Sequence, residues 1–370
     1  MVYLDNAATT KPYKEVVELF LENVDEFGNP SSLHDYGFRA KQKLEEARET
    51  IAQLVNCDPD EVIFTSGGSE ANTQAIMSAM RGPYDHAVCS AFEHDSVNDA
   101  LAGRNVTFVN PDSLGYIRVE DMEKAITNNT TLVACMAINN ELGVIQDVEE
   151  MGYMAHSHGK IFFSDGVQLF PHFKCDFKNS GIDMISASSH KFFGFKGQGF
   201  LICSNKITPY KLIKGGMQER GHRGGTENVL GAITTAKALE VTIKQKRNNY
   251  YNSLFDLESI IRNQFYDEDK DVRFNGDYLA TVPGFINMSF KNLRGDEIQS
   301  MMNERGFAIS TGSACHSGSA VPSRTLTAIG CPEEYINGTI RISMSVDNTE
   351  EEIKDFVKNL KEVVEILRKY

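Results

Sequence analysis

The chain has 370 residues, enough to bury a large hydrophobic core and to form two domains. Its net charge of −14 argues against a general nucleic-acid binder or a protein of anionic membrane surfaces. We find no long apolar segment and no cleavable signal pattern, so we expect neither a nucleic-acid nor a membrane partner. The seven cysteines are scattered without a CxxC pair, which predicts no zinc site or disulfide framework and favours a cytoplasmic location.

Short apolar runs alternate with helical patterns through the first two thirds of the chain. The helical patterns include 70–80 and 147–158. Several of the apolar runs carry almost no polar residue, as expected for strands covered on both faces. The alternation predicts an α/β fold with a mostly parallel, seven-stranded sheet and right-handed crossovers. The predicted strands are 62–65, 87–90, 106–109, 132–138, 161–165, 183–187 and 199–203.

The pattern changes after about residue 245. A long polar helix is predicted over 230–265, and short strands over 285–290 and 340–344. The last helix begins with the capping box of Thr349 and Glu352 and has one apolar face. These features predict a smaller α+β domain. We place the large domain at 13–245, and the small domain, which carries the loop of Cys315, at 1–12 and 246–370.

Polar residues follow five of the predicted strands. In open α/β sheets, binding sites lie at the carboxyl ends of the strands. Five strand ends that each supply polar groups therefore indicate a functional site at this edge of the sheet. The groups are Thr65-Ser66, Glu93-His94, Asn139-Asn140, Asp165 and His190-Lys191.

Asp165 and Lys191 together suit a pyridoxal phosphate site. A lysine forms the Schiff base with this cofactor, and an acid keeps the pyridine nitrogen protonated. Gln168 can then hydrogen-bond the phenolic oxygen, while the alternative for Asp165 is a helix N-cap. Lys196 is the rival lysine, but it lies in a glycine-containing turn, whereas Lys191 directly follows a strand.

Two further segments at the strand ends have a functional and a structural interpretation. Thr65–Glu70 contains two glycines and opens a helix, so it could bind a phosphate. The alternative is a plain βα turn with Ser69 as the N-cap. His94 could stack on a planar cofactor or shuttle a proton, or it could be a hydrogen-bonded structural residue.

Two glycine-containing segments later in the chain are unusual. The first, 215–226, combines glycines with arginine and histidine, and could approach a phosphate or a neighbouring subunit; the alternative is a surface loop. The second, 311–319, surrounds Cys315 with small residues, which suits an exposed nucleophilic thiolate. The other six cysteines are interpreted as small core residues.

Taken together, these residues closely resemble the cysteine desulfurase family, the class V branch of the pyridoxal-phosphate-dependent transferases. The resemblance runs nearly from end to end and implies fold type I. The motifs that carry it lie at 3–10, 27–32, 65–70, 93–94, 139–143, 165–168, 190–191, 223–226, 312–315 and 340–343.

The resemblance also implies roles for individual residues. Asn140 and Arg341 bind the substrate carboxylate. Lys191 moves the Cα proton, and the Cys315 thiolate attacks the sulfur of L-cysteine, which leaves a persulfide and releases L-alanine. The third catalytic residue is His94. The cofactor-binding residues are Gly68, Ser69, His94, Asp165, Gln168, Ser188, His190, Lys191 and, from the partner subunit, Thr226.

Family members are homodimers, so a homodimer is expected here. A sulfur-acceptor protein is also expected, either an iron–sulfur scaffold or a tRNA-thiolation protein, because both pathways begin from the same persulfide. A selenocysteine lyase or a small-amino-acid aminotransferase of the same fold is the alternative function. A non-catalytic sulfur-carrier adaptor or scaffold of this fold is a third possibility.

Overall fold

The computed structural model describes residues 1–245, 250–265, 271–311 and 322–369. The helices in these ranges are α1 Lys14–Glu22, α2 Asp35–Val55, α3 Gly68–Ala79, α4 Asp95–Leu101, α5 Val119–Lys124, α6 Val148–Ser157, α7 Val229–Gln245, α8 Tyr250–Phe265, α9 Gly295–Glu304, α10 Arg324–Ala328, α11 Glu333–Ile336 and α12 Glu350–Leu367. The strands are β1 Val2–Tyr3, β2 Val62–Thr65, β3 His86–Ser90, β4 Asn105–Val109, β5 Thr130–Ala134, β6 Ile161–Asp165, β7 Met184–Ser188, β8 Gly199–Cys203, β9 Val272–Phe274, β10 Phe285–Phe290, β11 Phe307–Ala308, β12 Ser310–Thr311 and β13 Thr339–Ser343.

A seven-stranded sheet forms the centre of the molecule, in the order β2-β8-β7-β6-β5-β3-β4. Only β8 runs antiparallel to its two neighbours, so the prediction of a mostly parallel α/β sheet is confirmed. Helices cover both faces, and Phe162 and Phe163, adjacent in β6, are both fully buried on opposite sides. This arrangement brings the carboxyl ends of β3, β5, β6 and β7 to one edge.

The strand predicted over 132–138 is wrong at its carboxyl end, because β5 stops at Ala134. The chain keeps contact with its neighbour beyond that point: the backbone N–H of Ala137 donates to the carbonyl of Asp165 at 3.0 Å. The helix predicted over 230–265 corresponds to α7 and α8, and the residues between them lie outside the described ranges.

A second sheet, ordered β12-β13-β10-β9, carries its own hydrophobic cluster. Helix α12 packs on it through the predicted apolar face, and the capping box of Thr349 and Glu352 is present. The parallel pair β1–β11 joins the start of the chain to this unit. The boundaries at 13–245 and at 1–12 with 246–370 stay a prediction. No helix within the described ranges is long and apolar enough to cross a membrane.

Candidate active site

A cavity of about 350 Å³ lies at the carboxyl edge of the large sheet, within the size range of small-molecule sites. It brings together ten of the twelve residues predicted to form the site. Of the other two, Cys315 lies outside the described residues, and Thr226 does not line this cavity. The ten are Gly68, Ser69, His94, Asn140, Asp165, Gln168, Ser188, His190, Lys191 and Arg341.

One end of the cavity is formed by the amino end of α3. Gly67 takes φ +149°, which favours glycine, and no side chain caps the helix. A Cβ atom on Gly68 would lie 2.7 Å from Val167 Cγ2, so this position has room only for glycine. Ser69 and Ser188 line the same cavity. Helix N–H groups, the dipole and hydroxyls suit a phosphate, and the alternative of a Ser69 N-cap is wrong because α3 begins at Gly68.

Asp165 closes β6 and is 96% buried, with only 4% of its surface exposed. Its Oδ1 accepts the N–H of Val167 at 2.9 Å, and its Oδ2 accepts the amide of Asn72 at 2.7 Å. Sequence reasoning missed Asn72, although its place four residues after Gly68 sets both on one face of α3. These two hydrogen bonds therefore fix the orientation of the Asp165 carboxylate at the floor of the cavity.

Lys191 and Gln168 meet at the carbonyl of Ala7, in the amino-terminal segment. Lys191 Nζ donates to that oxygen at 2.5 Å and Gln168 Nε2 donates at 2.9 Å. Lys196, the rival lysine, is exposed and does not line the cavity. His190 contacts Thr9 Oγ1 at 3.1 Å; burial first, and then the charges of the two lysines, lower the pKa of His190 to about 4. His190 is therefore neutral at physiological pH.

The opposite side of the cavity carries Arg341, from β13, which is 2% exposed. Its Nη1 donates to the carbonyl of Asn140 at 2.8 Å, and its Nη2 pairs with Asp5 at 2.9 Å. Its Nε has no hydrogen-bond partner within the part of the chain described here. A buried guanidinium with an unused donor at a cavity wall suits a carboxylate ligand.

Two acids lie next to residues of the site in the chain, the buried Glu93 and the partly buried Glu141, and sequence reasoning assigned no role to either. Burial raises the pKa of Glu93 to about 8, although its Oε1 accepts hydrogen bonds from Ser90 and from the N–H of Met136. Burial also raises the pKa of Glu141 to about 7, against the hydrogen bond from Ser323. At neutral pH the neutral form of Glu93 is favoured, which limits the negative charge beside the cavity, whereas a pKa of about 7 leaves Glu141 about half ionised.

Thr226 is exposed, and the segment leading to it is held by ion pairs. Arg48 and Glu219 form a buried bidentate pair with two contacts of 2.8 Å. Arg223 pairs at 3.0 Å with Glu70, which accepts the N–H of Ser66 at the phosphate end of the cavity. The segment is therefore a loop at the surface, as in the alternative interpretation, but ion pairs tie it to α2 and α3.

The six cysteines in the described ranges are all buried, as predicted for core residues. Burial raises the pKa of Cys57, Cys175 and Cys203 to about 12. It also raises the pKa of the other three, Cys89, Cys135 and Cys331. A protonated, enclosed thiol is a poor nucleophile, so none of these six suits attack on a substrate.

These residues fit pyridoxal phosphate. The glycine-lined helix end can take the phosphate, and the held carboxyl of Asp165 can face the pyridine nitrogen. His94 lines the same cavity, and Lys191 is the lysine that reaches it. One cavity thus contains a binding site for the phosphate, an acid for the pyridine nitrogen, an imidazole beside the ring and an amine for the Schiff base.

Comparison with known proteins agrees with this geometry. A cysteine desulfurase IscS of Dictyoglomus turgidum is 36% identical over 376 residues, which cover 99% of this chain and 95% of that protein. The solved structure of a NifS-like protein superposes with a TM-score of 0.91 at 29% identity, covering 99% of this chain and 100% of that one. The structure described as SspA in complex with cysteine gives a TM-score of 0.81 at 32% identity, covering 93% and 99%. The family Aminotransferase class-V matches residues 2–356. The chain therefore belongs to the class-V aminotransferase family, whose members are pyridoxal-phosphate-dependent enzymes.

Proposed function

We propose that the protein is a cysteine desulfurase, which converts L-cysteine to L-alanine and leaves the sulfur as a persulfide on Cys315. One observation carries the proposal: Asp165, Lys191 and Arg341 converge on a single cavity that suits both an amino-acid carboxylate and the cofactor. The desulfurase name of the Dictyoglomus turgidum relative and the cysteine in the SspA structure support the choice of substrate.

Bound pyridoxal phosphate supplies an electron sink for the bonds around the substrate Cα. Arg341 Nε, with the side chain of Asn140, orients the substrate carboxylate. Lys191 takes the Cα proton, and its amine must be neutral to do so. The carbonyl of Ala7 accepts a hydrogen bond from that amine and positions it beside the cavity. These residues hold the substrate at its carboxylate and at its Cα.

The sulfur transfer needs a nucleophilic thiolate. The Cys315 sulfur attacks the substrate sulfur, so an S–S bond forms while the C–S bond of cysteine breaks. A proton then takes the place of sulfur on the substrate carbon. The products, alanine and a persulfide, together contain the same atoms as the reactants, cysteine and one thiol. Cys315 is the thiol that we assign, because the other six are buried.

The test is release of sulfide and alanine from L-cysteine in the presence of a thiol reductant. We expect equal amounts of both from the wild type, none from Cys315→Ala, and wild-type amounts from Cys331→Ala, a buried cysteine away from the cavity. Retained turnover in Cys315→Ala would contradict the role of that thiol. Absence of both products from the cofactor-loaded wild type would contradict cysteine as the substrate; selenocysteine and transamination would then be assayed.

We also propose a homodimer, in which the exposed Thr226 reaches the phosphate of the neighbouring subunit. The persulfide passes to an acceptor protein, an iron–sulfur scaffold or a tRNA-thiolation protein, and the IscS name of the relative favours the former. Six unpaired cysteines among the described residues favour the reducing cytoplasm.

Sedimentation of wild type and Thr226→Ala, with cofactor affinity measured for both, tests the homodimer and the contribution of Thr226 to the neighbouring subunit. A monomer with full cofactor affinity would contradict it.

A further inference from the structure

A chain of hydrogen bonds joins His94 to Asp165 along the floor of the cavity. Asn72 Nδ2 lies 2.7 Å from Asp165 Oδ2 and 2.8 Å from Ser96 Oγ, and Ser96 Oγ lies 2.8 Å from His94 Nδ1. Asn72 is 1% exposed and stands on α3, whereas Ser96 stands on α4. The chain thus ties two helices and β6 to the group that faces the cofactor ring.

The direction of these hydrogen bonds fixes the proton of His94. The backbone N–H of Ser96 lies 3.1 Å from His94 Nδ1, and a backbone amide can only donate. His94 Nδ1 therefore accepts and carries no proton. In a neutral imidazole the one proton is then on Nε2, the nitrogen that faces away from Ser96.

Asn72 is the donor at the other end of the chain. An ionised carboxylate accepts only, so the atom of Asn72 that faces Asp165 is the amide nitrogen. The second hydrogen of that nitrogen goes to Ser96 Oγ. The hydroxyl proton of Ser96 is then left for His94 Nδ1. Donation therefore starts at Asn72 and runs outward, to Asp165 on one side and through the Ser96 hydroxyl to His94 Nδ1 on the other. The one lone pair of Nδ1 is shared by that hydroxyl and the backbone N–H of Ser96.

We propose that Asn72 and Ser96 are positioning residues, which hold His94 as a neutral imidazole with its proton on Nε2 and couple its ring to Asp165. The proposal rests on the proposed function of the cavity. In this state His94 can stack on the cofactor ring and can donate one hydrogen bond, from Nε2. It argues against the proton shuttle considered from the sequence, because a second proton would have to enter at Nδ1, against the N–H of Ser96.

Nitrogen NMR of the protein with isotope-labelled histidine tests the tautomer, with His94→Gln used only to assign the resonance. We expect a directly bonded proton on Nε2 and an accepting Nδ1 in the wild type. Ser96→Ala removes the hydroxyl but keeps the backbone N–H, so the Nδ1 resonance should move part of the way toward that of an unbonded nitrogen, and Ser96→Thr should restore it. A proton on Nδ1, or an unmoved resonance in Ser96→Ala, would overturn the proposal.

Cofactor affinity and kinetics test the coupling. We expect Asn72→Leu to weaken pyridoxal phosphate binding and to lower kcat, each about tenfold, with KM changed less than about twofold. Gln74→Leu is the matched control, because this buried amide on α3 binds the carbonyls of Tyr210 and His222 away from the cavity. Asn72→Leu with unchanged cofactor affinity would contradict the coupling. The NMR result does not depend on cysteine as substrate, so a failed desulfurase assay and a failed proposal are distinguishable.

Discussion

The two sides of the cavity are built in different ways. The cofactor floor, formed by Asp165, Asn72, Ser96 and His94, comes from residues 72–165 and from elements of the large sheet. The carboxylate wall, formed by Arg341, Asn140 and Asp5, joins positions that are 201 and 336 residues apart in the chain.

This difference separates two kinds of function. The floor holds groups against a cofactor through rigid neighbouring elements, so its loss should lower kcat. The wall offers a buried guanidinium to a substrate carboxylate, so its loss should raise KM. Lys191 lines the same cavity as the floor and the wall.

Loss of Lys191 should have the largest effect. We expect Lys191→Ala to lower kcat for desulfuration by about 10³-fold or more, because no other lysine lines the cavity among the described residues. Borohydride should fix the cofactor to the wild type and not to this variant. Lys196→Ala, at an exposed position, should behave as wild type, and the opposite pattern would show that the lysines are misassigned.

Removal of the charge at the floor should come next. Asp165→Asn should lower kcat about a hundredfold with a small change in KM, because the cofactor loses the anion facing its ring. Asp183→Asn is the control: this acid is also buried, and it precedes β7 at the other end of the sheet. Steady-state kinetics on both variants check this. A change confined to KM in Asp165→Asn would break the distinction between floor and wall.

A conservative change at the wall should have the converse effect. Arg341→Lys keeps the charge and loses the planar donor set, so KM for cysteine should rise about tenfold or more, since hydrogen bonds between charged groups contribute about 1.5–3 kcal/mol. We expect kcat to change less. Arg305→Lys, which bonds the carbonyl of Asn359 outside the cavity, should leave both constants unchanged. Equal losses in kcat from the two arginine variants would show a structural effect only.

The smallest effect concerns stability against pH. Because burial raises the pKa of Glu93 to about 8 from 4.5, the folded chain keeps a proton that the unfolded chain loses. Stability from this group is therefore lost as the pH rises from about 4.5 to about 8. Glu93→Gln cannot ionise and does not lose this stability. The free energy of unfolding of the variant minus that of the wild type should therefore be larger at pH 8 than at pH 5, by about 1 kcal/mol or more.

Urea unfolding at the two pH values measures this difference directly. Glu15→Gln, at an exposed position on α1, should show the same difference from wild type at both. A pH-independent effect of Glu93→Gln would mean that Glu93 is already ionised in the folded chain.

The sequence predicted the floor better than the wall. Strand patterns placed Asp165 and Lys191 at strand ends, and the parallel topology then placed them side by side. Asn72 was missed because a buried amide inside a helix carries no motif of its own. Ser96 was missed because its contact with His94 depends on the N-cap geometry of α4.

The partners of Arg341 could not be predicted from periodicity. Its contact with Asp5 depends on how the amino-terminal segment packs beside β13, which no local pattern encodes. The same holds for the pair of Arg48 and Glu219, which brings positions 171 residues apart together. Such long-range pairs are set by tertiary packing, whereas strand-end residues follow from local pattern and topology.

The most direct test of the central claim is the location of the sulfur. The cofactor-loaded protein is incubated with one equivalent of isotopically sulfur-labelled L-cysteine without reductant, and its peptides are mapped by mass. The account predicts one added labelled sulfur on the peptide that contains Cys315, in the same amount as the alanine formed. Alanine without that label, or the label on one of the six buried cysteines, would contradict it.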